Sequence, residues 1–134
     1  MTIEGETTRP IATQVSSMFH LMKNGADNLS SLPSNHDPKA RDPRTYPLIS
    51  ADKKTLWLVQ VDGRQDWFSC GMSHEEMMVL ARKLGAANVT NLDGGGSSVM
   101  WVYDTAAGKG SVVNSVSDSK GERSCLNYML VKVK

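Results

Sequence analysis

The segment NLDGGGSS, residues 91–98, restricts the possible folds of this chain more than any other stretch. Three consecutive glycines lose much backbone entropy on folding, so an ordered chain keeps them where positive φ or close approach to bare backbone is needed. The segment is therefore predicted to be a loop. Free amides in such a loop can point together at an anion. A flexible turn explains the glycines about equally well, but Asn91, Asp93, Ser97 and Ser98 add polar groups to the same turn.

Length and composition predict a single domain over residues 1–134. Hydrophobic residues make up 40% of the chain, and 15 basic side chains stand against 14 acidic ones. No bulk charge therefore favours binding to nucleic acid or to a membrane surface, and recognition of an anion must be local. No apolar run reaches the roughly 20 residues of a membrane span. The first residues lack a signal-peptide pattern, which fits a cytosolic protein or a piece excised from an exported one.

Hydrophobic spacing predicts an α+β fold, in which about two amphipathic helices pack on a mixed, mostly antiparallel sheet. Residues 10–24 have apolar side chains at helical spacing between Pro10 and Gly25. A second helix is predicted to follow Ser73, because Ser73 and Glu76 match a capping box. Between these helices, residues 26–45 contain three prolines and many Asn, Asp and Ser residues. They predict a long loop that is either functional or poorly ordered.

Four strands are predicted from short apolar runs rich in β-branched and aromatic residues. The run at 55–62 is apolar on both faces, which predicts a position near the middle of the sheet. The runs at 87–92 and 99–103 enter and leave the glycine loop, and the run at 126–133 ends the chain.

Three further polar clusters carry candidate chemistry. They are RDPRT at 41–45, VDGR at 61–64 and GER at 121–123. Taken singly, each has an ordinary structural explanation. RDPRT is explained as well by a solvated basic loop, VDGR by an Asp-Gly turn or a salt bridge, and GER by a polar turn.

Cysteine and histidine spacing predicts no metal site. Cys70 and Cys125 are the only cysteines, and free thiols are favoured over a bridge. His20, His36 and His74 lack ligand spacing. No cofactor is required by any pattern, although a divalent cation held by carboxylates such as Asp62 and Asp93 is possible.

The motifs RDPRT, VDGR, GMSHEEM, NLDGGGSS, VVNSVSD and GERSCLN occur in the order found in the phosphodiester glycosidase family, which the chain resembles over residues 41–133. Members of that family hydrolyse the bond between a sugar's anomeric carbon and a phosphodiester, as when N-acetylglucosamine is removed from a phosphate on mannose. The resemblance implies the same reaction class for this chain, on a small-molecule or polysaccharide substrate. It also implies these site residues: Arg44, Asp62, Arg64, Asn91, Asp93, Gly94, Gly95, Gly96, Ser97, Ser98, Asn114, Glu122, Arg123 and Asn127.

The chain departs from the family in two places. Residues 114–118 read NSVSD where the family more often has NRPSD, so an arginine and a proline are missing and some phosphate contact is lost. The region before residue 41 is shorter than in the family. This indicates a minimal variant, a fragment, or a chain that completes its sheet as a homo-oligomer through exposed strand edges.

The chemistry of a glycosyl phosphodiester assigns roles to these residues. Arg44, Arg64 and Arg123 are the expected phosphate clamp, because a guanidinium can hold two phosphate oxygens. Asp93 is the expected nucleophile or the base that activates water, with Glu122 as the second carboxylate. Asp62 could replace Glu122 or orient an arginine.

The remaining expectations concern the glycine loop and the type of protein. The amides of Gly94, Gly95 and Gly96 are expected to bind an oxyanion or phosphate. Trp67, in a polar run, is a candidate ligand contact, whereas Trp57 is expected in the core. The alternative to an enzyme is a non-catalytic module that binds a sugar phosphate or polysaccharide. A nucleotide-binding loop is disfavoured because GxxxxGK[ST] is absent.

Overall fold

The structure, a computed structural model, describes residues 19–125 and 128–132. Seven strands and one α-helix occur in this part of the chain, together with single 3₁₀ turns at Leu29–Ser31 and Gly95–Ser97. In chain order the elements are β1 (Phe19–Lys23), β2 (Ala26–Asp27), β3 (Arg44–Ser50), β4 (Leu56–Val61), α1 (His74–Leu84), β5 (Ala86–Asn91), β6 (Trp101–Asp104) and β7 (Lys109–Val112).

Five of these strands form one sheet in the order β2-β1-β5-β3-β4, and β6 pairs with β7 as a separate hairpin. Every pairing between named strands is antiparallel. The α+β class and the mostly antiparallel sheet are therefore confirmed. The predicted pair of helices is not matched, because the described residues contain one.

Helix α1 forms where the capping box predicts it. Ser73 Oγ accepts a hydrogen bond from the Glu76 amide at 3.1 Å, and Glu76 Oε2 accepts one from the Ser73 amide at 3.0 Å. Gly85 ends the helix in the left-handed region, with φ of 77°. Met77, Met78 and other buried helix residues pack on the sheet residues of the core, namely Leu21, Met22, Tyr46, Leu48 and Val89.

The helix predicted at residues 10–24 is wrong for residues 19–24, and residues 10–18 lie outside the described part. Phe19–Lys23 is a strand, and a register shift between His20 and Met22 interrupts its pairing with β5. Leu21 and Met22 are consecutive and both buried. A regular strand would send consecutive side chains to opposite faces, so a register irregularity here obscures the period-2 signal.

The strand predictions are confirmed in part. β4 and β5 occur at the predicted places, but β4 is the edge strand of the described sheet rather than a middle strand, and its Leu56 and Leu58 are exposed. β6 begins at Trp101, within the third predicted run. No strand forms at residues 128–132, so the last predicted strand is wrong there; residues 126, 127 and 133 lie outside the description.

The predicted loop at residues 26–45 is interrupted by β2, by the Leu29–Ser31 turn and by the start of β3 at Arg44. β3 lies between β5 and β4, so its first residue sits beside the last residues of both antiparallel neighbours. One end of the sheet therefore collects the segments that precede β3 and follow β4 and β5.

Candidate active site

The backbone of Asp42 and Pro43 forms the floor of this end of the sheet. Three glycines from three other segments press against it. A Cβ added to Gly63 would lie 2.7 Å from Pro43 N, one added to Gly71 would lie 2.6 Å from the Asp42 carbonyl carbon, and one added to Gly94 would lie 2.7 Å from Pro43 O. These positions admit no side chain without backbone movement, which explains why glycine stands at each of them.

An open cleft of about 210 Å³ lies on this floor. Three guanidinium groups and two carboxylates line the cleft, so its lining has a net positive charge. The lining residues are Asp42, Arg44, Arg64, Asp93, Gly94, Gly95 and Arg123. The structure therefore brings together six residues that the sequence motifs single out, and adds Asp42.

Asp42 joins two of the arginines. Arg64 Nε donates to Asp42 Oδ1 at 2.9 Å, and Arg44 Nη2 lies 3.4 Å from Oδ2. Arg44 Nη2 also donates to the Ala40 carbonyl at 3.2 Å. The Arg44 side chain is only 12% exposed, and its Nε is buried with no hydrogen-bond partner among the described residues. Arg44 thus keeps a buried donor that no described residue pairs, which lowers the stability of the fold.

Arg64 and Arg123 lie against the glycine loop. Arg64 has φ of 58°, which is uncommon for a residue with a side chain, and such strain often marks functional positions. A Cβ added to Gly95 would lie 3.0 Å from Arg64 Nη1, and one added to Gly96 would lie 3.0 Å from Arg123 Nη2. Arg123 Nη1 is 3.9 Å from Asp118 Oδ2. The bare loop backbone therefore makes room for both guanidinium groups.

The loop's own amides are partly engaged within the protein. The Gly94 amide donates to Asp93 Oδ1 at 2.9 Å, and the Gly95 amide donates to the Pro43 carbonyl at 2.9 Å. Gly95 has φ of 59°, in the left-handed region. Gly96 is buried and does not line the cleft.

Asp62 does not line the cleft but holds a neighbouring segment. Its carboxylate accepts hydrogen bonds from Gln60 Nε2, Asn114 Nδ2 and the Ser115 amide, at 3.0 to 3.1 Å. Asn114 in turn donates to the Ser98 carbonyl at 3.0 Å and accepts from the Met100 amide at 2.8 Å. Both side chains therefore connect loops.

The other predicted site residues are dispersed. Glu122 is exposed and does not line the cleft. Asn91 and Ser98 are buried, Ser97 is half-buried, and Asn127 lies outside the described residues. Asp42 is absent from the residues predicted for the site. The sequence feature that could have identified Asp42 is its position in the RDPRT motif, between Arg41 and Pro43.

A buried aromatic pair lies behind Arg44. The Tyr46 hydroxyl and His74 Nδ1 are 3.0 Å apart, and both residues are fully buried. Burial lowers the pKa of His74 to about 4, with a further lowering from the nearby Arg44 and His36. Burial likewise raises the pKa of Tyr46. His74 is therefore neutral at physiological pH, which avoids placing a second cation beside Arg44.

The described residues contain no cluster of three or more His, Cys, Asp or Glu side chains that could hold a metal ion. Cys70 and Cys125 are free and exposed. None of the helices in the described part is long and apolar enough to cross a membrane.

Comparison with known families agrees with the motif order. The profile described as "Phosphodiester glycosidase" matches residues 2–132, nearly the whole chain. The chain belongs to the phosphodiester glycosidase family. A search of curated proteins finds no match.

Proposed function

We propose that this protein hydrolyses the glycosidic bond of a sugar-1-phosphodiester in the arginine-lined cleft. The observation that carries the proposal is the convergence of Arg44, Arg64 and Arg123 with Asp93 on one cleft. Family membership supports the same class of reaction. A phosphodiester joined to a sugar needs both a clamp for its anionic phosphate and a carboxylate near the anomeric carbon.

The three arginines form the phosphate clamp in this proposal. A phosphodiester carries one negative charge, and the cleft holds one more guanidinium than it has carboxylates. Arg64 and Arg123 line the cleft with side chains that are 57% and 49% exposed, so their guanidinium groups are the donors open to phosphate oxygens. Guanidinium groups bind phosphate oxygens with directional, charge-assisted hydrogen bonds.

Asp93 is the proposed nucleophile, or the base that removes a proton from the attacking water. Its carboxylate is exposed at the cleft, whereas the Asp42 carboxylate is bonded to Arg64 and Arg44. The bond between the anomeric carbon and the phosphate oxygen breaks, and its electron pair stays on the phosphate, whose new charge the arginines stabilise. Water is consumed, and the products are the free sugar and a phosphate monoester.

The leaving group reduces the need for a general acid. The second pKa of a phosphate monoester is about 6, far below that of a sugar alcohol. One carboxylate therefore suffices for most of the catalysis. Glu122 is the second carboxylate of this proposal, and it reaches the substrate only if its exposed side chain turns toward the cleft beside Arg123.

The test is release of free sugar from a panel of sugar-1-phosphodiesters, UDP-N-acetylglucosamine included. Wild type and Asp93→Asn are assayed together, and binding is measured by calorimetry. We expect wild type to release sugar, and Asp93→Asn to bind substrate with similar affinity but release none. An active Asp93→Asn protein would remove Asp93 from the mechanism. Binding without release by wild type would assign the chain to the alternative, a sugar-phosphate binding module.

A further inference from the structure

The turn from Gln65 to Ser69 displays two aromatic side chains to solvent. Trp67 is 83% exposed and Phe68 is 58% exposed. Their ring centroids are 5.5 Å apart, with an interplanar angle of 38°. Single exposed apolar residues are common, but two adjacent aromatic rings form a patch that calls for an explanation.

This turn is fixed to the protein. Gln65 and Ser69 exchange backbone hydrogen bonds of 3.0 and 2.8 Å, and Ser69 Oγ donates to the Asp62 carbonyl at 2.6 Å. The Gln65 side chain donates to the Ser115 carbonyl at 2.8 Å and accepts from Ser115 Oγ at 2.7 Å. The aromatic rings are thus presented by an anchored turn, which lowers the entropy lost when a ligand contacts them.

The turn also begins at the cleft. Arg64 lines the cleft and directly precedes Gln65, the first residue of the turn. Three residue steps separate Arg64 from Trp67, so their Cα atoms are within about 11 Å of each other. The chain therefore leads directly from the cleft to the aromatic pair.

We propose that Trp67 and Phe68 form an aglycone platform, a surface that stacks against the ring on the far side of the phosphate from the cleaved sugar. This inference rests on the proposed function, because it takes the cleaved sugar to lie at Asp93. The phosphate's second ester group must then leave the cleft elsewhere, and Arg64 connects the clamp to the aromatic turn. The flat face of a pyranose or of a nucleobase is the chemistry that such rings bind.

The test compares substrates that share one sugar-1-phosphate and differ only in the aglycone, which is methyl, a hexose or a nucleoside. We expect Trp67→Ala to raise KM about tenfold for the hexose or nucleoside ester, in the range that loss of one stacking contact produces. KM for the methyl ester should change less than twofold. Trp67→Phe should return KM for the ring-bearing esters most of the way to the wild-type value. The ester with the larger KM rise identifies the ring that the platform binds.

Tyr103→Ala is the matched control, because Tyr103 is an aromatic residue 53% exposed on the β6–β7 hairpin, a segment separate from the turn that follows Arg64. An equal KM rise for the methyl ester and the ring-bearing esters would overturn the platform, as would an equal effect of Tyr103→Ala. A wild-type dimer that Trp67→Ala converts to monomers would assign the aromatic pair to an interface instead.

Failure of the proposed function gives a different result. If wild type cleaves none of the three esters, equilibrium binding of the same esters is measured by calorimetry. A preference for ring-bearing esters that Trp67→Ala removes would support the platform without catalysis. No preference, or one that Trp67→Ala leaves intact, would overturn it.

Discussion

Arg64 Nε donates a 2.9 Å hydrogen bond to Asp42 Oδ1, across 22 positions of sequence. The other oxygen of the same carboxylate lies 3.4 Å from Arg44 Nη2. One acid therefore sets the spacing of two cations that would otherwise repel each other. The arginines are held in place before any ligand arrives, which reduces the cost of assembling a phosphate site.

Asp42→Asn is predicted to weaken substrate binding. An asparagine can still accept from one arginine but loses the charge that holds both. Because Arg64 is exposed, the ion pair is screened, and we expect a rise in KM of about fivefold, with a smaller change in kcat. Glu75→Gln is the control, since it removes the same charge from an exposed position on α1. A lower KM in Asp42→Asn would show that Asp42 competes with the substrate for the arginines.

Gly95→Ala and Gly108→Ala form a matched pair. Both glycines have left-handed backbone, with φ of 59° and 64°, so each alanine should lower the free energy of unfolding by about 1 kcal/mol. Only the Gly95 methyl group would meet Arg64, at 3.0 Å, whereas nothing lies within 4 Å of an added Cβ at Gly108. We therefore expect similar urea midpoints but a raised KM in Gly95→Ala alone. A raised KM in both proteins would show that the effect is not local to Arg64.

Asp62→Asn is predicted to reduce stability and activity together. The NH₂ group of the introduced asparagine would face the N–H donors of Asn114 and Ser115. Leaving these donors without an acceptor should lower the free energy of unfolding by about 2 kcal/mol. Asp93→Asn, at an exposed carboxylate, should change stability little while abolishing turnover. Urea unfolding and sugar release on both variants separate the two roles. A fully stable, inactive Asp62→Asn protein would place Asp62 in the chemistry.

Stability is predicted to fall in acid because of His74. Its pKa lies at about 4 in the folded protein and 6.5 in the reference state. Between pH 4 and pH 6.5 the unfolded chain binds a proton at His74 that the folded chain excludes. The stability that depends on neutral His74 is therefore complete above pH 6.5 and is lost as pH falls toward 4. The shift corresponds to about 3 kcal/mol of unfolding free energy. His74→Gln should show a shallower pH dependence of the urea midpoint over this range; an unchanged slope would exclude His74 as its source.

Local signals explain which elements could be predicted from sequence. The α1 boundaries follow from side chains that bond their own backbone, so Ser73, Glu76 and Gly85 suffice to place them. β1 could not be recognised, because a register irregularity lets Leu21 and Met22 both be buried. β3 contains Pro47 in a strand paired on both sides, which is where proline ordinarily argues against a strand.

The candidate site was accessible to sequence reasoning for a different reason. The ordered motifs resemble a family and so name most cleft residues, but residue chemistry alone left each cluster with an ordinary structural explanation. Asp42 could not be singled out, since its bonds to Arg64 and Arg44 depend on the sheet bringing separate segments to one end. The dispersal of Asn114 and Asp62 into loop contacts likewise depends on tertiary structure.

The Asp42–Pro43 floor separates the shape of the cleft from its chemistry. The floor is made where main chain meets main chain, at Gly63, Gly71 and Gly94, whereas the charges reach it on arginine side chains. Residues at the rim can therefore be substituted while the backbone floor keeps its shape. Libraries that vary Arg64, Trp67 or Phe68 should yield folded proteins with new ligand preferences, while libraries that include those glycines should yield mostly unfolded chains.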